Sequence, residues 1–221
     1  MEAKAQPRAT GECVQGTPIT LVTIATDCMG TPGRLTPEID EFRRQFEQIS
    51  SDAVALSSPL SDDQFMWRPS PNAWSVAECL EHLNATARAY LPALDEAIAD
   101  SIRRGVYGEG PFLYNVIGRL YTRFIEPPVR WRMQAVPQVY PGAGRSRREI
   151  LAAFRAYQVQ YIDRLRQSNG IDLARARVRS PAVSWLRIPL GSGFAVMAAH
   201  ERRHLWQVRR ITGAPGFPTG A

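Results

Sequence analysis

Hydrophobic residues recur at intervals of three and four positions over four stretches of this chain, which is the spacing of a helix with one buried face. The first stretch begins at Thr36-Pro37, a capping residue followed by a proline at the first helical position. Its apolar face is formed by Ile39, Phe42, Phe46, Ile49 and Ala53. This stretch predicts an amphipathic helix.

The second stretch begins at Ser75, which forms a predicted capping box with Glu78, three residues later. Trp74 stands just before it, at the position of a hydrophobic staple. The pattern continues to about Arg104, and Pro92 within it predicts a kink because proline removes one backbone donor. The stretch therefore predicts a long helix with a well-defined start.

The third stretch begins with another predicted capping box, Ser146 with Glu149, and stops before Gly170. Its apolar face is formed by Ile150, Phe154, Tyr157, Tyr161 and Leu165. The fourth stretch runs from about Leu190 to Thr212, and its apolar face consists of Met197, His200, His204, Val208 and Ile211. Two histidines thus occupy positions that the helical period assigns to the core.

Four amphipathic helices with no convincing alternating strands predict an all-α domain, a four-helix bundle. The bundle is predicted to span residues 36–213, between a flexible N-terminal extension at residues 1–35 and a short tail at residues 214–221. A long connection, residues 106–145, joins the second and third helices and contains a short helical piece at 112–124. Long connections allow neighbouring helices to run parallel.

The composition is that of an ordinary folded protein, with 44% hydrophobic and 22% charged residues. The formal net charge is +6, and basic clusters occur at residues 103–105, 145–149 and 175–179. These clusters are interpreted as solvated helix ends and faces, because no helix-turn-helix, zinc-finger or RNA-binding signature accompanies them. No nucleic-acid partner is expected, although arginines near a pocket mouth would attract a small anionic ligand.

No apolar run approaches the roughly 18 residues that a membrane helix needs. The best candidate, residues 19–25, is short, contains threonines and lacks a small-residue cleavage site after it. The three cysteines, Cys13, Cys28 and Cys79, are odd in number and irregularly spaced, which argues against a disulfide framework. The sequence therefore predicts a cytoplasmic protein with no membrane partner.

The chain has only three histidines, and two of them, His200 and His204, lie four residues apart on the predicted core face of the fourth helix. That spacing directs two imidazoles to one point, as in many metal sites. The third, His82, lies on the second helix among small residues. Since stacked core imidazoles need partners when neutral and repel when charged, the three predict a divalent-ion site with an open coordination position.

Other interpretations of this region stay open. The histidines could be buried residues satisfied by polar neighbours, and Cys79, one turn before the second-helix histidine, could complete a closed structural metal site. Gln207, one turn beyond the last histidine, could orient a ligand or could be an interior polar residue. Glu78 is expected to be held by its capping box, and Glu201 to pair with nearby arginines.

Two segments, NAWSVAECLEHLNATARAYLPAL and LGSGFAVMAAHERRHLWQVRRI, resemble the DinB family, the DinB/YfiT-like metalloenzymes. The likeness extends from about Thr36 to Gly213. It implies a four-helix bundle of up-down-down-up type, with nickel, zinc or a similar divalent ion bound by His82, His200 and His204. Relatives with known activity include transferases and isomerases that use low-molecular-weight thiols such as bacillithiol or mycothiol.

The leading hypothesis is a metal-dependent enzyme that activates a low-molecular-weight thiol for transfer to an electrophile, with a small molecule as substrate. One alternative is a metal-dependent hydrolase that activates water. Another is a non-enzymatic, stress-related metal-binding protein. The oligomeric state is open, with a homodimer among the candidates.

Overall fold

The computed structural model describes residues 34–114, 116–128, 137–142, 144–183 and 185–219. The described part is mostly helical and contains α1 (Pro37–Ser57), α2 (Asp62–Met66), α3 (Val76–Arg103), α4 (Val116–Ile125), α5 (Arg147–Gln167), β1 (Arg177–Arg179), β2 (Arg187–Pro189) and α6 (Leu190–Thr212). A short 3-10 turn at Pro137–Val139 lies between α4 and α5. The four helices predicted from the sequence correspond to α1, α3, α5 and α6.

Both predicted capping boxes are confirmed. At the start of α3 the Ser75 hydroxyl accepts from the Glu78 amide at 3.2 Å, and the Glu78 carboxylate accepts from the Ser75 amide at 2.9 Å. Ser146 and Glu149 make the same pair of bonds at the start of α5, at 3.4 and 2.8 Å. These reciprocal bonds satisfy backbone donors that a helix start leaves without partners, so local sequence decides where both helices begin.

The core lies between the four long helices. α1 packs against α5 and α6, and α3 packs against the same two helices. Phe46 of α1 and Tyr161 of α5 stack with their ring centroids 4.9 Å apart, and both are fully buried. Pro92 lies inside α3; the kink there and the up-down-down-up order of helix directions stay predictions.

α2 was missed by the sequence analysis, although its Ser61-x-x-Gln64 capping box is a readable start signal. The Gln64 side chain donates to the Pro218 carbonyl at 2.7 Å, and Phe217 meets Trp67 edge to face at 5.4 Å. The segment predicted as a short C-terminal tail therefore contacts α2 over its described residues. The predicted N-terminal extension lies outside the described residues up to residue 33.

The expectation that the chain contains no strands is wrong for the segment before α6. β1 and β2 pair antiparallel, with Arg179 opposite Arg187. Val178 between the flanking arginines is buried, and a Cβ added to Gly193 of α6 would come within 2.9 Å of its side chain. Strands of three residues are too short to show an alternating pattern. The inner face of this pair is buried because β1 packs against both α3 and α6.

The three basic clusters lie in different settings. Residues 103–105 end α3, and residues 145–149 begin α5, as the sequence analysis expected. The expectation is wrong for residues 175–179, which lie on β1 and just before it rather than on a helix.

Among the described helices, no apolar stretch has the length that a membrane-spanning helix requires.

The helical piece predicted at residues 112–124 is present as α4, which packs against α6. Just before it, the Tyr114 hydroxyl donates to Glu38 of α1. The same ring lies against Gly191, where an added Cβ would sit only 2.0 Å from the hydroxyl oxygen. The absence of a side chain at Gly191 therefore allows the connection to close over the start of α6.

Candidate metal centre

His82 lies in the second turn of α3, and its ring is 3% exposed. Because the capping box at Ser75 fixes where α3 begins, it also fixes the direction in which this side chain points. The His82 Nδ1 lies 2.6 Å from the carbonyl oxygen of Val139, in the 3-10 turn. A carbonyl oxygen only accepts, so Nδ1 carries the proton and Nε2 keeps a free lone pair.

His200 and His204 lie one turn apart on α6 and point toward His82. The Nε2 atom of His200 is 3.2 Å from the Nε2 of His82 and 3.2 Å from the Nε2 of His204. The three rings form one group whose ligand atoms all lie within 4.8 Å of one another. The structure thus brings together, from two helices, all three histidines that the sequence analysis singled out.

The spacing of these nitrogens fits a shared cation. An ion about 2.0–2.1 Å from each histidine nitrogen would have ligand atoms about 2.9–3.4 Å apart in tetrahedral or octahedral arrangements. The two Nε2 separations of 3.2 Å fall in that interval. A single proton on the His200 Nε2 can form a hydrogen bond with only one of the two neighbouring nitrogens. A cation can accept the lone pairs of all three nitrogens. Polar neighbours alone therefore satisfy this group poorly.

Burial lowers the pKa of all three imidazoles. The pKa of His200 falls to about 3, first through burial and then through repulsion from His82 and Arg203. Burial also holds the pKa of His204 well below its ordinary value, and the nearby amide of Gln207 opposes this only weakly. The pKa of His82 is lowered mainly by burial. All three rings are neutral at pH 7, the state in which a histidine nitrogen binds a cation.

The outer ring nitrogens differ between the two helices. The Nδ1 of His82 has its carbonyl partner, but the Nδ1 atoms of His200 and His204 are buried with no hydrogen-bond partner among the described residues. When Nε2 binds a cation, Nδ1 carries the proton, and a partner there fixes the ring. In the described part of the chain, therefore, only the α3 histidine is fixed by such a bond.

Trp74 forms an aromatic wall beside the histidines. Its ring centroid lies 5.0 Å from that of His82 and 5.8 Å from that of His204, on which it stacks. Tyr140 packs edge to face against Trp74 at 6.1 Å. The sequence analysis gave Trp74 only a role at the helix start. The position of Trp74 just before the capping box could be read from the sequence. Its contact with His204 of α6 could not.

A family model described as the DinB superfamily matches residues 45–208, which is well over half of the chain and includes all three histidines. The chain belongs to the DinB superfamily. Comparisons with curated proteins and with solved structures gave no match. The match to the family's sequence model therefore establishes the family. The chemistry of this DinB protein is inferred from its own residues.

Cys79 does not belong to the group of this DinB protein that could hold a metal ion, which in the described residues consists of the three histidines. Its side chain is fully buried, and burial raises the pKa of the thiol far above its ordinary value. Glu78, as expected, is held by its capping box, and it also pairs with Arg68. Neither residue at the start of α3 is placed to donate to a cation.

The expectation that Glu201 pairs with nearby arginines is wrong. The histidine pair reads His-Glu-x-x-His, a motif in which the glutamate of metalloproteases acts as the general base. Here the Glu201 carboxylate is buried and accepts from the Gln158 side chain of α5 at 3.0 Å. It forms no ion pair with an arginine in the described part of the chain, and Arg202 pairs with Glu126 instead. Burial raises the pKa of Glu201 to about 8, so the carboxyl is mostly protonated at pH 7.

Glu81, a buried carboxylate that the sequence analysis did not single out, lies immediately before His82. It pairs with Arg145 at 3.1 Å and with Arg88 at 3.5 Å, and it accepts from the Asn84 side chain at 3.0 Å. Both arginines compensate its negative charge, and Arg145 also joins α3 to the segment before α5. Glu81 therefore helps to position the helix that carries His82.

Proposed function

We propose that this DinB protein is a metal-dependent enzyme that activates a low-molecular-weight thiol for transfer to a small electrophilic substrate. The residues that would hold the divalent ion, zinc, nickel or a similar metal, are His82, His200 and His204, each through Nε2. One observation carries the proposal: three neutral imidazoles from two helices converge, with the His200 Nε2 lying 3.2 Å from the Nε2 of each of the other two. A bound ion would lower the pKa of a substrate thiol and hold it as thiolate.

The donor set favours sulfur as the next ligand. All three donors are neutral nitrogens, and no carboxylate belongs to the group in the described residues. The full positive charge of a divalent ion would then attract an anionic ligand, and ions that prefer imidazole also accept thiolate. The thiol is expected to come from a substrate, because burial keeps the Cys79 thiol protonated and it lies outside the group.

The surrounding residues supply orientation and exclude water. The Val139 carbonyl holds the His82 ring so that Nε2 faces the other two histidines. Trp74 covers His82 and His204 with an aromatic face, and aromatic rings make favourable contacts with sulfur. His200 is the least buried of the three and lies between them. We infer that a substrate approaches the centre beside His200.

The position of Glu201 argues against the hydrolase alternative. A metalloprotease of the His-Glu-x-x-His type needs an ionised glutamate that can take a proton from water near the metal. Here Gln158 occupies one carboxylate oxygen of Glu201, and burial favours its protonated form. The glutamate therefore contributes to helix packing between α5 and α6.

We further propose that the four long helices form an up-down-down-up bundle. The packing of α1 and of α3 each against α5 and α6 gives every long helix two neighbours, as a four-helix bundle requires. The proposal also takes the protein as cytoplasmic, with a small molecule rather than nucleic acid as its substrate. A homodimer is compatible with the proposal but no residue of the centre requires it.

The test combines metal analysis with two assays on untagged full-length protein. Wild type should retain about one divalent ion per chain, and His200→Ala should lose most of it. Arg210→Ala is the matched control, because Arg210 is exposed on the same helix and packs over Trp206. The metal-loaded protein should consume an added thiol only when an electrophile is present. Ester or amide cleavage without thiol would instead identify a hydrolase, and equal metal content in both variants would refute the metal site.

A further inference from the structure

Exposed arginines lie on the outer face of the β1–β2 pair, residues 177–179 and 187–189. We call this strand pair the arginine hairpin. Along β1, Arg177 and Arg179 are exposed while Val178 between them is buried. Arg187 of β2 is also exposed and lies directly opposite Arg179 in the register. Side chains two residues apart on a strand share one face, so these three guanidinium groups lie on the same outer surface.

Among the described residues, no acidic side chain pairs with these charges. No ion pair involves the three arginines of the hairpin in the part of the chain that the structure describes. The nearby carboxylate of Asp172 accepts from the backbone amides of Ala174 and Arg175. Like charges placed directly across a strand pair are destabilising. The arrangement of these arginines therefore lowers the stability of the fold, and no ion pair in the described residues offsets the repulsion.

The loop at the tip of the hairpin, residues 180–186, has no charged residue. Trp185 is 81% exposed, although tryptophan is among the largest apolar side chains. Two backbone bonds lie in this segment: the Ser180 amide donates to the Leu186 carbonyl, and the Leu186 amide donates to the Val183 carbonyl, both at 2.9 Å. Trp185 thus presents its indole ring to solvent beside β2.

This exposed indole lies close to the arginines in the chain. Trp185 precedes Arg187 by two residues, and Arg187 lies opposite Arg179. An exposed indole next to a row of exposed arginines forms an amphipathic surface. Such a combination is typical of proteins that insert apolar side chains at a lipid interface while cationic side chains bind phosphate groups.

We propose that the arginine hairpin, with Trp185 at its tip, docks this protein on the surface of a membrane rich in anionic phospholipids. The positive charge of the hairpin complements lipid phosphates, and the indole of Trp185 is suited to the headgroup region. Nucleic acid fits less well, because base readout or strand tracking needs polar donors and several stacking rings, whereas the tip is apolar with one indole. The sequence prediction of no membrane partner came from the lack of a spanning segment, which binding at a surface does not need.

The test uses full-length protein and vesicles of phosphatidylcholine, with or without about a third phosphatidylglycerol. The protein should sediment with the anionic vesicles, less so at high salt, and weakly with the neutral ones. Each arginine near an anionic surface contributes roughly a fivefold factor in affinity, so the double variant Arg179→Ser, Arg187→Ser should bind about thirtyfold more weakly. Brominated lipid should quench tryptophan fluorescence in wild type more than in Trp185→Phe.

The matched control is the double variant Arg148→Ser, Arg155→Ser, which removes the same charge from exposed positions on α5. It should keep most of the binding. The hairpin variant should retain the circular dichroism and metal content of wild type, so that lost binding is not lost folding. The proposal is overturned if both double variants lose binding equally, or if vesicles are not bound. It is also overturned if the hairpin variant loses only single-stranded oligonucleotide binding.

Discussion

Cys79 lies one helical turn before His82, close enough in sequence to suggest a fourth ligand, yet it lies outside the histidine group that could hold a metal ion. We expect Cys79→Ala to retain the bound ion and to cost about 1 kcal/mol of stability through lost packing. Metal analysis and thermal unfolding of both proteins check this. In cobalt-substituted protein, a thiolate charge-transfer band should appear only after a substrate thiol is added. A band in thiol-free protein that disappears in Cys79→Ala would show that the cysteine is a ligand.

Glu201 gives a pH dependence with a definite sign. Burial raises its pKa from 4.5 to about 8, so the folded protein holds a proton that the unfolded chain releases between those pH values. Stability should therefore fall as pH rises through this interval, by about 1.4 kcal/mol per pH unit at most. The lowered pKa of His200 acts oppositely, but only between about 3 and 6.5. The net decline should appear between pH 6.5 and 8.

Chemical unfolding of metal-free protein checks this prediction. Wild type should lose about 2 kcal/mol between pH 6.5 and 8. Glu201→Gln cannot ionise and should lose much less, and its amide can still bond to the Gln158 side chain, whose oxygen has no partner in the described residues. Glu96→Gln, at an exposed position on α3, is the control and should follow wild type. A decline of the same size in Glu201→Gln would assign the pH dependence to another group.

At the scale of elements, α6 depends on the close approach of the preceding connection. A Cβ at Gly191 would lie 2.0 Å from the Tyr114 hydroxyl oxygen and 2.5 Å from the adjacent ring carbon. We therefore expect Gly191→Ala to destabilise the fold by about 1–3 kcal/mol, because the ring must move away from α6 and from Glu38. Urea unfolding measures the change.

Gly213→Ala is the control for this substitution, since its added Cβ would meet only the Arg209 carbonyl oxygen at 3.4 Å. It should change stability by about 0.5 kcal/mol or less. The double variant Gly191→Ala, Tyr114→Ala should cost less than the sum of the two single changes, because removal of the ring relieves the clash. Strict additivity would show that the tyrosine is not what excludes a side chain at Gly191.

For the whole molecule, the sequence predicts that the bundle folds without the N-terminal extension, because residues 1–35 have no periodic apolar face to bury. A protein that lacks residues 1–28 should keep its melting temperature within about 2 °C and its full metal content. Differential scanning calorimetry and metal analysis check both. A much lower melting temperature would show that the extension covers part of the apolar core.

The helices and the three histidines that cluster in the structure could be recognised from the sequence because their signals are local. Helical periodicity predicted the apolar face of α6 with His200 and His204 on it, and the Ser75–Glu78 box predicted where α3 begins. Local rules describe what one segment does with its own neighbours. For this reason the fold class and the three histidines could be predicted without the tertiary structure.

The tertiary structure decided what each side chain contacts across the molecule. The bond from His82 to the Val139 carbonyl joins residues 57 positions apart, and a backbone carbonyl has no residue type that could mark it in advance. Glu201 was assigned to arginines because they are its sequence neighbours, but helix packing brings Gln158 to it instead. The strand pair likewise depends on long-range packing, because β1 lies against both α3 and α6. Long-range contacts of this kind come from packing, which the pattern of a single helix does not encode.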